Sequence, residues 1–385
     1  MRVLMVVVSY WPRVGGVEVH VQHVAEGMAS HGHQVTVLTS RHHSSLPLRE
    51  SIAGVDIVRA PVLGTVARIP VMPSFIPHAA ALMRQADVVA VHIPLAEAGL
   101  VCRLARRLGR PVVLSYYCDF EPRSGRWSWL GPKTLGAMNS LAARCADFII
   151  VASRDYADGS ALLKRFESKL RVVTPLANVG PAPGRTVERA GRGNQPGAGP
   201  VIAMAARMAP EKGVEYLLDA IPHLLPRYPE LVVTMTGERR GDIGCESYFR
   251  HLEPMIDRYS DHIRFVGALD RSEMPSFFVT ADVLVVPSVD AREAFGMVQV
   301  EAMLCGTPVV ASNLPGMREP VARTGMGVLV PTRDPRALAE GIRSVLENRP
   351  QYERRRSEIE QIFDAGQALD AYEELLQAAL NRGSG

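Results

Sequence analysis

The sequence has few cysteines and no long apolar run. Its five cysteines are scattered along 385 residues, odd in number, and none forms a Cys-x-x-Cys pair. This distribution argues against a disulfide framework and a zinc site and fits a reducing compartment, so we expect a cytoplasmic protein. No apolar run approaches the roughly 18 residues that a spanning helix needs. The run from Val3 to Val8 is short for a signal peptide and lacks a cleavage site, so it predicts a buried first strand.

The length and the charge of the chain constrain its number of domains and the kind of partner it binds. At 385 residues, 47 % of them hydrophobic, the chain is too long for one ordinary core and suits two domains. Residues 1–180 carry 20 basic and 12 acidic side chains (+8), residues 181–199 carry 3 and 1 (+2), and residues 200–385 carry 20 and 27 (−7), which sums to the net +3. A basic half indicates an anionic partner, and a chance distribution of solvated charge is the alternative.

The first half alternates short β-branched runs with longer amphipathic segments. This pattern predicts a parallel sheet with helices on both faces. The predicted strands are Val3–Ser9, Gln34–Thr39, Asp56–Ala60, Asp87–His92, Pro111–Tyr116, Phe148–Ala152 and Leu170–Thr174, and the predicted helices include Val17–His31 and Glu97–Leu108. Residues 177–199 are rich in Gly and Pro and predict a linker, which we place at 178–197.

The alternation restarts after the linker. The predicted strands are Val201–Ala205, Leu231–Thr236, Ile263–Val266, Val283–Pro287 and Val309–Ser312, with helices at 214–225, Ser247–Tyr259, Ser272–Thr280 and Val298–Leu304. Two successive α/β units predict a cleft between them, where a ligand reaches the carboxyl ends of both sets of strands. The last apolar helical face, from Leu369 to Ala379, has no second-domain strand left to cover, so we expect it to pack on the first domain.

A pair of adjacent glycines follows the first predicted strand, where Val14-Gly15-Gly16 leads into a helix. Glycines there let backbone N–H groups approach an anion at the helix N-terminus, and a plain tight turn is the alternative. The spacing is not Gly-x-Gly-x-x-Gly. The second strand also ends at Thr39-Ser40-Arg41 without an acidic residue, which weakens an NAD-binding interpretation.

Two further segments carry charged residues in strand-to-helix loops. Arg207 and Lys212 follow the strand Val201–Ala205, and two cations five residues apart can both reach one diphosphate; a solvated loop is the alternative. Glu293 and Glu301 flank Gly296, which opens a helix whose first amides are available to an anion. Carboxylates on both sides of such an anion site can accept hydrogen bonds from hydroxyl groups that flank a diphosphate. The alternative is that a glutamate here only supports the cap of the helix.

The strand–Gly-Gly–helix start, the Arg-x4-Lys-Gly loop and the Glu-x7-Glu block together resemble glycosyltransferase family 4, the glycosyl transferases group 1. These are retaining GT-B enzymes. The resemblance covers nearly the whole chain, and the order and spacing of the three motifs make it specific. It implies an α/β fold of two Rossmann-like domains facing across a cleft. Residues 1–177 would bind the acceptor, residues 198–365 would bind the nucleotide sugar, and the C-terminal helix 366–385 would return to the first domain.

The resemblance also implies roles for individual residues. Arg207 and Lys212 would neutralise the leaving diphosphate and Glu293 would hold hydroxyls of the donor sugar, so these three are the expected catalytic residues. Glu301 would hold the ribose hydroxyls. Backbone contacts to the donor would come from Gly15, Gly16, Ala294, Phe295, Gly296, Met297 and Val298.

The implied reaction is transfer of a hexose or hexose derivative from a UDP- or GDP-sugar to a glycan, lipid-linked or small-molecule acceptor, with retention of anomeric configuration. The donor site has cations and amides that suit a departing diphosphate and no obvious carboxylate base. No Asp-x-Asp ends a strand, so we expect no metal and no cofactor beyond the nucleotide-sugar co-substrate. Two alternatives are a nucleotide-sugar 2-epimerase, which leaves the Glu-x7-Glu block unexplained, and a catalytically silent GT-B binding protein.

The sequence departs from the family pattern in two places. The strand before the linker ends in Pro175-Leu176-Ala177-Asn178 where relatives usually have Pro-x-Gly, which affects only a turn, and the second difference lies in the first domain. Many relatives carry Tyr-His-Cys-Asp after a strand of the first domain, whereas this chain reads Tyr116-Tyr117-Cys118-Asp119. Tyr117 follows an apolar strand and therefore stands at the strand's carboxyl end, where ligands bind in open α/β sheets. We expect Tyr117, with Asp119, to contact the donor sugar or the acceptor; packing of Tyr117 beneath the loop is the alternative.

The basic first half contains two groups of residues that suit a bilayer surface. They are Arg103, Arg106, Arg107 and Arg110 on or just after one helix, and Trp127 and Trp129 among Arg123, Arg126 and Lys133. This pattern predicts peripheral contact with the cytoplasmic membrane face, and an ordinary basic helix with two core tryptophans is the alternative. We expect no nucleic acid among the partners.

Overall fold

The computed structural model divides the chain into two compact units. Unit 1 comprises Met1–Leu176 together with Ala365–Gly385, and unit 2 comprises Ala177–Asp364. The structure describes all residues except 14, 67–68, 119–129, 178, 181–198, 239–244, 291–292 and 384–385. Within that described part of the chain, no helix is long and apolar enough to cross a bilayer.

Unit 1 is built on an eight-stranded sheet with a separate hairpin. Its strands are β1 Arg2–Val6, β2 Gln34–Arg41, β3 Arg49–Ile52, β4 Val55–Pro61, β5 Gly64–Val66, β6 Ile69–Val71, β7 Val88–Ile93, β8 Val112–Tyr116, β9 Phe148–Val151 and β10 Leu170–Val172. The sheet order is β10-β9-β8-β7-β1-β2-β4-β3, and β5 pairs with β6 alone. All the sheet pairings are parallel except β3 against β4. Strands β7 and β8 are buried at every position, as expected for a parallel sheet covered on both faces.

The helices of unit 1 connect these strands. They are Gly16–Ser30, Phe75–Met83, Ala98–Arg107, Leu130–Cys145, Arg154–Gly159, Ala161–Lys164 and Ala365–Gly383, with a 3-10 turn at Glu167–Lys169. Predicted and observed bounds agree within two residues except at the end of β1. That strand ends at Val6 rather than Ser9, although the Val7 amide still donates to the Leu38 carbonyl at 3.1 Å.

The C-terminal helix Ala365–Gly383 packs on unit 1, as the sequence predicts. Its apolar face contributes Leu369, Tyr372, Leu376 and Ala379 to the core that also contains Val3, Met5 and Phe148 of the sheet. Tyr372 and Leu376 have no exposed surface. The last helix of the chain therefore belongs to the hydrophobic core of the first unit, and burial of its apolar face stabilises that position.

Unit 2 has a six-stranded, wholly parallel sheet. Its strands are β11 Val201–Ala205, β12 Val232–Thr236, β13 Ile263–Gly267, β14 Val283–Val286, β15 Val309–Ser312 and β16 Gly327–Val330. They lie in the order β13-β12-β11-β14-β15-β16, which counted within the unit is 3-2-1-4-5-6. This is the Rossmann order, and its strand sequence reverses between β11 and β14. Ligands of such sheets bind beyond the carboxyl ends of the two strands at that switch point.

The helices of unit 2 cover both faces of this sheet. They are Val214–Leu224, Cys245–Arg258, Met274–Val279, Met297–Leu304, Glu319–Thr324, Pro335–Glu347, Arg349–Tyr352 and Arg356–Ile362, with 3-10 turns at Pro210–Lys212 and Ser260–His262. The apolar positions Val214, Leu217, Leu218 and Ile221, which recur at helical spacing, are fully buried.

Candidate active site

The charged loops of unit 2 meet at the switch point of its sheet. The loop after β11 carries Arg207 and Lys212, and the loop after β14 carries Glu293. The two strands are direct neighbours, and the Val289 amide donates to the Glu211 carbonyl at 3.0 Å, which joins the two loops. Two motifs more than 80 residues apart in sequence therefore form one site.

Gly213 explains how the loops approach so closely. It has φ +64° and ends the short turn that carries Lys212. A Cβ atom at this position would lie 2.2 Å from the Pro287 carbonyl oxygen, so only glycine fits both the left-handed backbone and the contact with the β14 loop. In the Lys-Gly pair of the sequence motif, Gly213 therefore allows the two loops to approach, and Lys212 supplies the positive charge.

Lys212 and Glu293 form the centre of this site. The Lys212 Nζ donates to Glu293 Oε1 at 2.8 Å, and the Ser288 hydroxyl donates to Glu293 Oε2. About a fifth of each charged side chain is exposed. Burial alone would raise the pKa of Glu293, but the charge and hydrogen bond of Lys212, the Ser288 hydrogen bond and the charge of Arg207 together hold that pKa below its ordinary value. Glu293 is therefore a carboxylate throughout the neutral range.

Arg207 lies on the more open side of the same loop. Its guanidinium lies 3.3 Å from Glu211 Oε1, and its side chain is 38 % exposed, against 21 % for Lys212. Lys212 is also the only lysine in the sequence between residues 177 and 364. The site therefore combines a planar guanidinium at its mouth with a single, deeper ammonium beside a carboxylate, two donors of different geometry for an anionic group.

The helix Met297–Leu304 begins beside Glu293. Gly296 caps it with φ +72°, and a Cβ there would lie 2.6 Å from Gln299 Nε2 and 2.8 Å from Met317 Sδ. Gln299 is fully buried and donates to the carbonyl oxygens of Phe295 (3.3 Å) and Met317 (2.9 Å), which fixes the turn. The Gln299 amide donates to the Gly296 carbonyl at 2.9 Å, whereas the amides of Met297 and Val298 come before any acceptor of the helix and are available to a ligand.

The side chains of this segment point into the core. Ala294 and Phe295 are buried, and the Phe295 ring meets Phe363 edge-on at 5.9 Å. Ala294 and Phe295 can therefore offer only backbone atoms to a ligand, and the predicted backbone contacts at Gly296, Met297 and Val298 stay predictions. The apolar side chains hold the turn in place.

Glu301 differs in protonation from Glu293. It lies on the second turn of the same helix and is partly buried. Burial raises the pKa of Glu301 to about 7, and the charge of Arg271 offsets only part of that effect. The two glutamates of the motif therefore have distinct states near neutral pH: Glu293 is ionised and Glu301 is close to half-protonated.

In unit 1 the glycine pair follows β1, next to the switch point between β1 and β7. A Cβ on Gly15 would lie 2.4 Å from the Glu18 carboxylate, whereas a Cβ on Gly16 would meet no described atom within 4 Å. Gly16 is exposed and begins the helix Gly16–Ser30. Packing among the described residues does not account for glycine at position 16, and its contact with the donor stays a prediction.

Tyr117 lies just beyond the end of β8 and is partly exposed. Its hydroxyl lies 2.9 Å from His92 Nδ1, and its ring meets the His20 ring edge-on at 5.3 Å. His20 is on the first turns of the helix that starts at Gly16, so the structure brings Tyr117 to the glycine loop. Asp119 lies outside the described residues. Sequence reasoning missed His20 and His92, since nothing local marks them as partners of Tyr117.

The basic helix of unit 1 is less open than its composition indicates. Arg106 pairs with Asp147 at 2.9 Å, and Arg110 donates to the Arg84 carbonyl at 3.1 Å, while Arg103 and Arg107 are exposed. The tryptophan loop, with Trp127 and Trp129, lies outside the described residues. Two arginines of the predicted membrane-facing group therefore have partners within the protein.

Comparison with known proteins covers both units. The family model described as Glycosyl transferases group 1 matches residues 189–361, and the Glycosyl transferase 4-like domain matches residues 15–176. A glycogen synthase of Mycobacterium tuberculosis is 30 % identical over 385 aligned positions, covering 92 % of this chain and 88 % of the relative. A phosphatidyl-myo-inositol mannosyltransferase of the same organism is 28 % identical over 368 positions, covering 90 % and 88 %.

Solved structures show the same architecture. HepE from Anabaena in complex with UDP-glucose superimposes with a TM-score of 0.77 at 20 % identity, covering 98 % of this chain and all of the other. Sucrose-phosphate synthase from Thermosynechococcus elongatus has a TM-score of 0.74 at 21 % identity, covering 98 % and 99 %. At these identities the likeness establishes the fold, which is GT-B with two Rossmann-like units.

Proposed function

The chain belongs to the glycosyl transferases group 1 and is a glycosyltransferase, and from that premise we propose that it transfers a hexose or hexose derivative from a UDP- or GDP-sugar, with retention and without a metal ion. The acceptor would be a glycan, a lipid-linked molecule or a small molecule. The relatives named above are a synthase of glycogen and a mannosyltransferase named for a phosphatidylinositol, which supports both glycan and lipid acceptors.

The observation that carries the proposal is the cluster at the switch point of unit 2. Arg207 and Lys212 provide two positive charges beside the first amides of the helix Met297–Leu304. The nucleoside diphosphate that leaves gains negative charge on its phosphate oxygens as its bond to the sugar breaks, and fixed cations and amides stabilise that charge as it develops. The same two cations would supply what a divalent metal supplies in other transferases.

The proposed step breaks the bond between the anomeric carbon and the diphosphate oxygen and forms a bond from the same face to the acceptor hydroxyl. The leaving phosphate oxygen takes the acceptor's proton, so no carboxylate base is required. Glu293, held ionised by Lys212 and Ser288, would accept hydrogen bonds from sugar hydroxyls and so orient the anomeric carbon. In unit 1, Tyr117 would contact the donor sugar or the acceptor.

A donor screen tests the proposal. We expect a UDP- or GDP-sugar to raise the melting temperature of the protein, because a ligand at 100 times its dissociation constant adds about 2.7 kcal/mol to the free energy of unfolding. A thermal-shift assay with UDP-, GDP- and ADP-sugars measures the change in melting temperature, and NAD serves as the control. If no UDP- or GDP-sugar shifts the melting temperature while NAD does, the proposal is wrong.

The pKa of Glu301 leads to a pH dependence of donor binding. A carboxylate that accepts two ribose hydroxyls must be ionised, and the raised pKa of about 7 means that the free protein must release a proton to bind below that pH. We therefore expect the dissociation constant of a nucleotide sugar to be about tenfold higher at pH 6 than at pH 8. Isothermal titration calorimetry at both pH values measures the ratio.

The ligand and the variants make this test specific. A nucleotide sugar is used because the terminal phosphate of a free nucleoside diphosphate itself titrates near pH 6. Glu301→Gln should remove the pH dependence, and Arg271→Ala should move its midpoint to higher pH, since the Arg271 charge lowers the pKa of Glu301. Equal affinity of the unaltered protein at pH 6 and pH 8 would exclude this role for Glu301.

A further inference from the structure

A chain of hydroxyl and imidazole groups runs through unit 1 to Tyr117. Ser115 Oγ lies 3.4 Å from the Tyr372 hydroxyl, which lies 3.4 Å from His92 Nε2, and His92 Nδ1 lies 2.9 Å from the Tyr117 hydroxyl. Ser115, His92 and Tyr372 have no exposed surface, whereas Tyr117 is partly exposed. The chain therefore starts in the core and ends at the carboxyl edge of the sheet, where we expect a substrate.

The members of this chain come from separate elements. His92 is on β7, Ser115 is on β8, and Tyr372 is on the C-terminal helix, 280 residues from His92. The His92 ring is nearly parallel to both tyrosine rings, at 5.9 Å and 5° from Tyr117 and at 6.4 Å and 8° from Tyr372. His92 thus links the last helix of the chain to Tyr117, and Ser115, which hydrogen-bonds with both tyrosine hydroxyls, provides a second link.

The ring of Tyr117 is also held from the other side. His20 meets it edge-on, and the Leu176 amide donates to His20 Nδ1 at 3.2 Å, which fixes the His20 ring. With His92 stacked on one side and His20 against another, the orientation of the Tyr117 hydroxyl is set by the fold. Substrate contact then depends on which way its proton points.

The groups of the chain are all neutral at physiological pH. Burial, with a smaller contribution from the charge of His20, lowers the pKa of His92 to about 3, and burial raises the pKa values of Tyr117 and Tyr372. A neutral imidazole has one N–H donor and one acceptor nitrogen. The two hydrogen bonds of His92 must therefore run in the same direction, either toward Tyr117 or toward Tyr372.

The two directions of these hydrogen bonds differ in what they leave for a ligand at Tyr117. Ser115 then donates to Tyr372, Tyr372 donates to His92 Nε2, and His92 Nδ1–H donates to the Tyr117 oxygen, so that the last proton, on Tyr117, is directed to solvent or substrate. In the opposite direction Tyr117 donates to His92 Nδ1, and the last proton, that of Ser115, can return to the Tyr117 oxygen, with which Ser115 also hydrogen-bonds. The Tyr117 hydroxyl then has no proton left for a ligand. Only the direction toward Tyr117 therefore makes this hydroxyl a donor to a ligand.

We propose that Tyr372 and His92 are positioning residues that present the Tyr117 hydroxyl as a hydrogen-bond donor to an oxygen of the donor sugar or acceptor. The C-terminal helix thereby takes part in substrate selection. This inference rests on the proposed function for its substrate, but the direction of the hydrogen bonds is a property of the protein itself. The two can therefore be tested separately.

The direction is tested by the tautomer of His92, read from ¹⁵N chemical shifts of the full chain labelled at histidine. The expected result is a neutral imidazole protonated at Nδ1, and Tyr372→Phe should shift it toward protonation at Nε2. A neutral imidazole protonated at Nε2 in the unaltered protein overturns the proposal. This reading does not depend on whether the protein turns over any nucleotide sugar, so it stays valid if the proposed function fails.

The link to the substrate is tested by a double-mutant cycle. Tyr117→Phe should lower kcat/KM about tenfold, which is on the order of 1.4 kcal/mol, and Tyr372→Phe should lower it about three- to tenfold. If Tyr372 acts through Tyr117, the double variant should be no worse than Tyr117→Phe alone. Losses that multiply in the double variant would show that Tyr372 acts independently and would overturn the link.

A variant of the same helix provides the control. Leu376 is fully buried one turn beyond Tyr372 and has no hydroxyl. Leu376→Ala should lower the melting temperature, because it leaves a cavity, and should change kcat/KM by the same factor with and without Tyr117→Phe. If Leu376→Ala showed the same non-additivity as Tyr372→Phe, packing of the helix rather than its hydroxyl would explain the result.

Discussion

Replacing either cation of the unit 2 site should reduce kcat/KM by about 30- to 1,000-fold, which corresponds to roughly 2–4 kcal/mol of transition-state stabilisation. Lys212→Ala removes the ammonium that lies 2.8 Å from Glu293, and Arg207→Ala removes the guanidinium at the mouth of the site. Either change leaves diphosphate charge uncompensated as the bond to the sugar breaks. Initial rates of nucleoside diphosphate release measure the effect.

An arginine elsewhere in unit 2 provides the matched control. Arg227 is 71 % exposed and pairs with Glu347 at 3.8 Å, so Arg227→Ala removes the same charge from the same unit without touching the site. We expect its kcat/KM to stay within twofold of the unaltered protein, since exposed pairs contribute little. Full activity of Arg207→Ala and Lys212→Ala would contradict the assigned roles.

Glu293→Gln should lower kcat on the order of 100-fold. The glutamine is nearly isosteric, but it cannot accept hydrogen bonds at both ends and gives Lys212 no negative partner. Lys212 and Ser288, which both donate to Glu293, would then lose the acceptor that orients them. Single-turnover measurements on the best-binding nucleotide sugar separate the loss in the chemical step from a loss in binding.

Another carboxylate of the same loops, Glu211, is the control for this variant. Glu211 pairs with Arg207, whose side chain is 38 % exposed, so Glu211→Gln breaks an ion pair that solvent already screens. We expect it to lower kcat less than tenfold. A Glu211→Gln loss equal to that of Glu293→Gln would mean that charge balance in the loops, rather than a contact of Glu293 with the sugar, controls the rate.

Local patterns in the sequence predicted the strands and helices that position the site. Runs such as Val201–Ala205 and Val309–Ser312 have the observed bounds because fully buried parallel strands are continuously apolar. Strand β3 and the β5–β6 hairpin were missed, since all their residues are exposed or half-buried and the sequence there lacks the continuous apolar run of an interior strand. Strand β16, at the edge of the unit 2 sheet, was also missed, and only its last residue is buried.

The site was predictable in part. Arg207, Lys212 and Glu293 stand in short motifs at strand ends, and the sheet order explains why these motifs meet. Ser288 follows β14 and lies five residues before Glu293, so its position at a strand end was a usable signal. No such signal marks His92 or Tyr372, because their contacts with Tyr117 and with each other depend on how β7, β8 and the last helix pack.

The central claim, that fixed cations and not a metal ion stabilise the leaving diphosphate, is tested most directly by turnover after chelation. The measurement is the rate of nucleoside diphosphate release from the best-binding UDP- or GDP-sugar, before and after exhaustive treatment with EDTA. The account predicts an unchanged rate for the unaltered protein, and a rate for Lys212→Ala that added Mg²⁺ or Mn²⁺ does not restore. Loss of activity on chelation, recovered when the metal is returned, would contradict it.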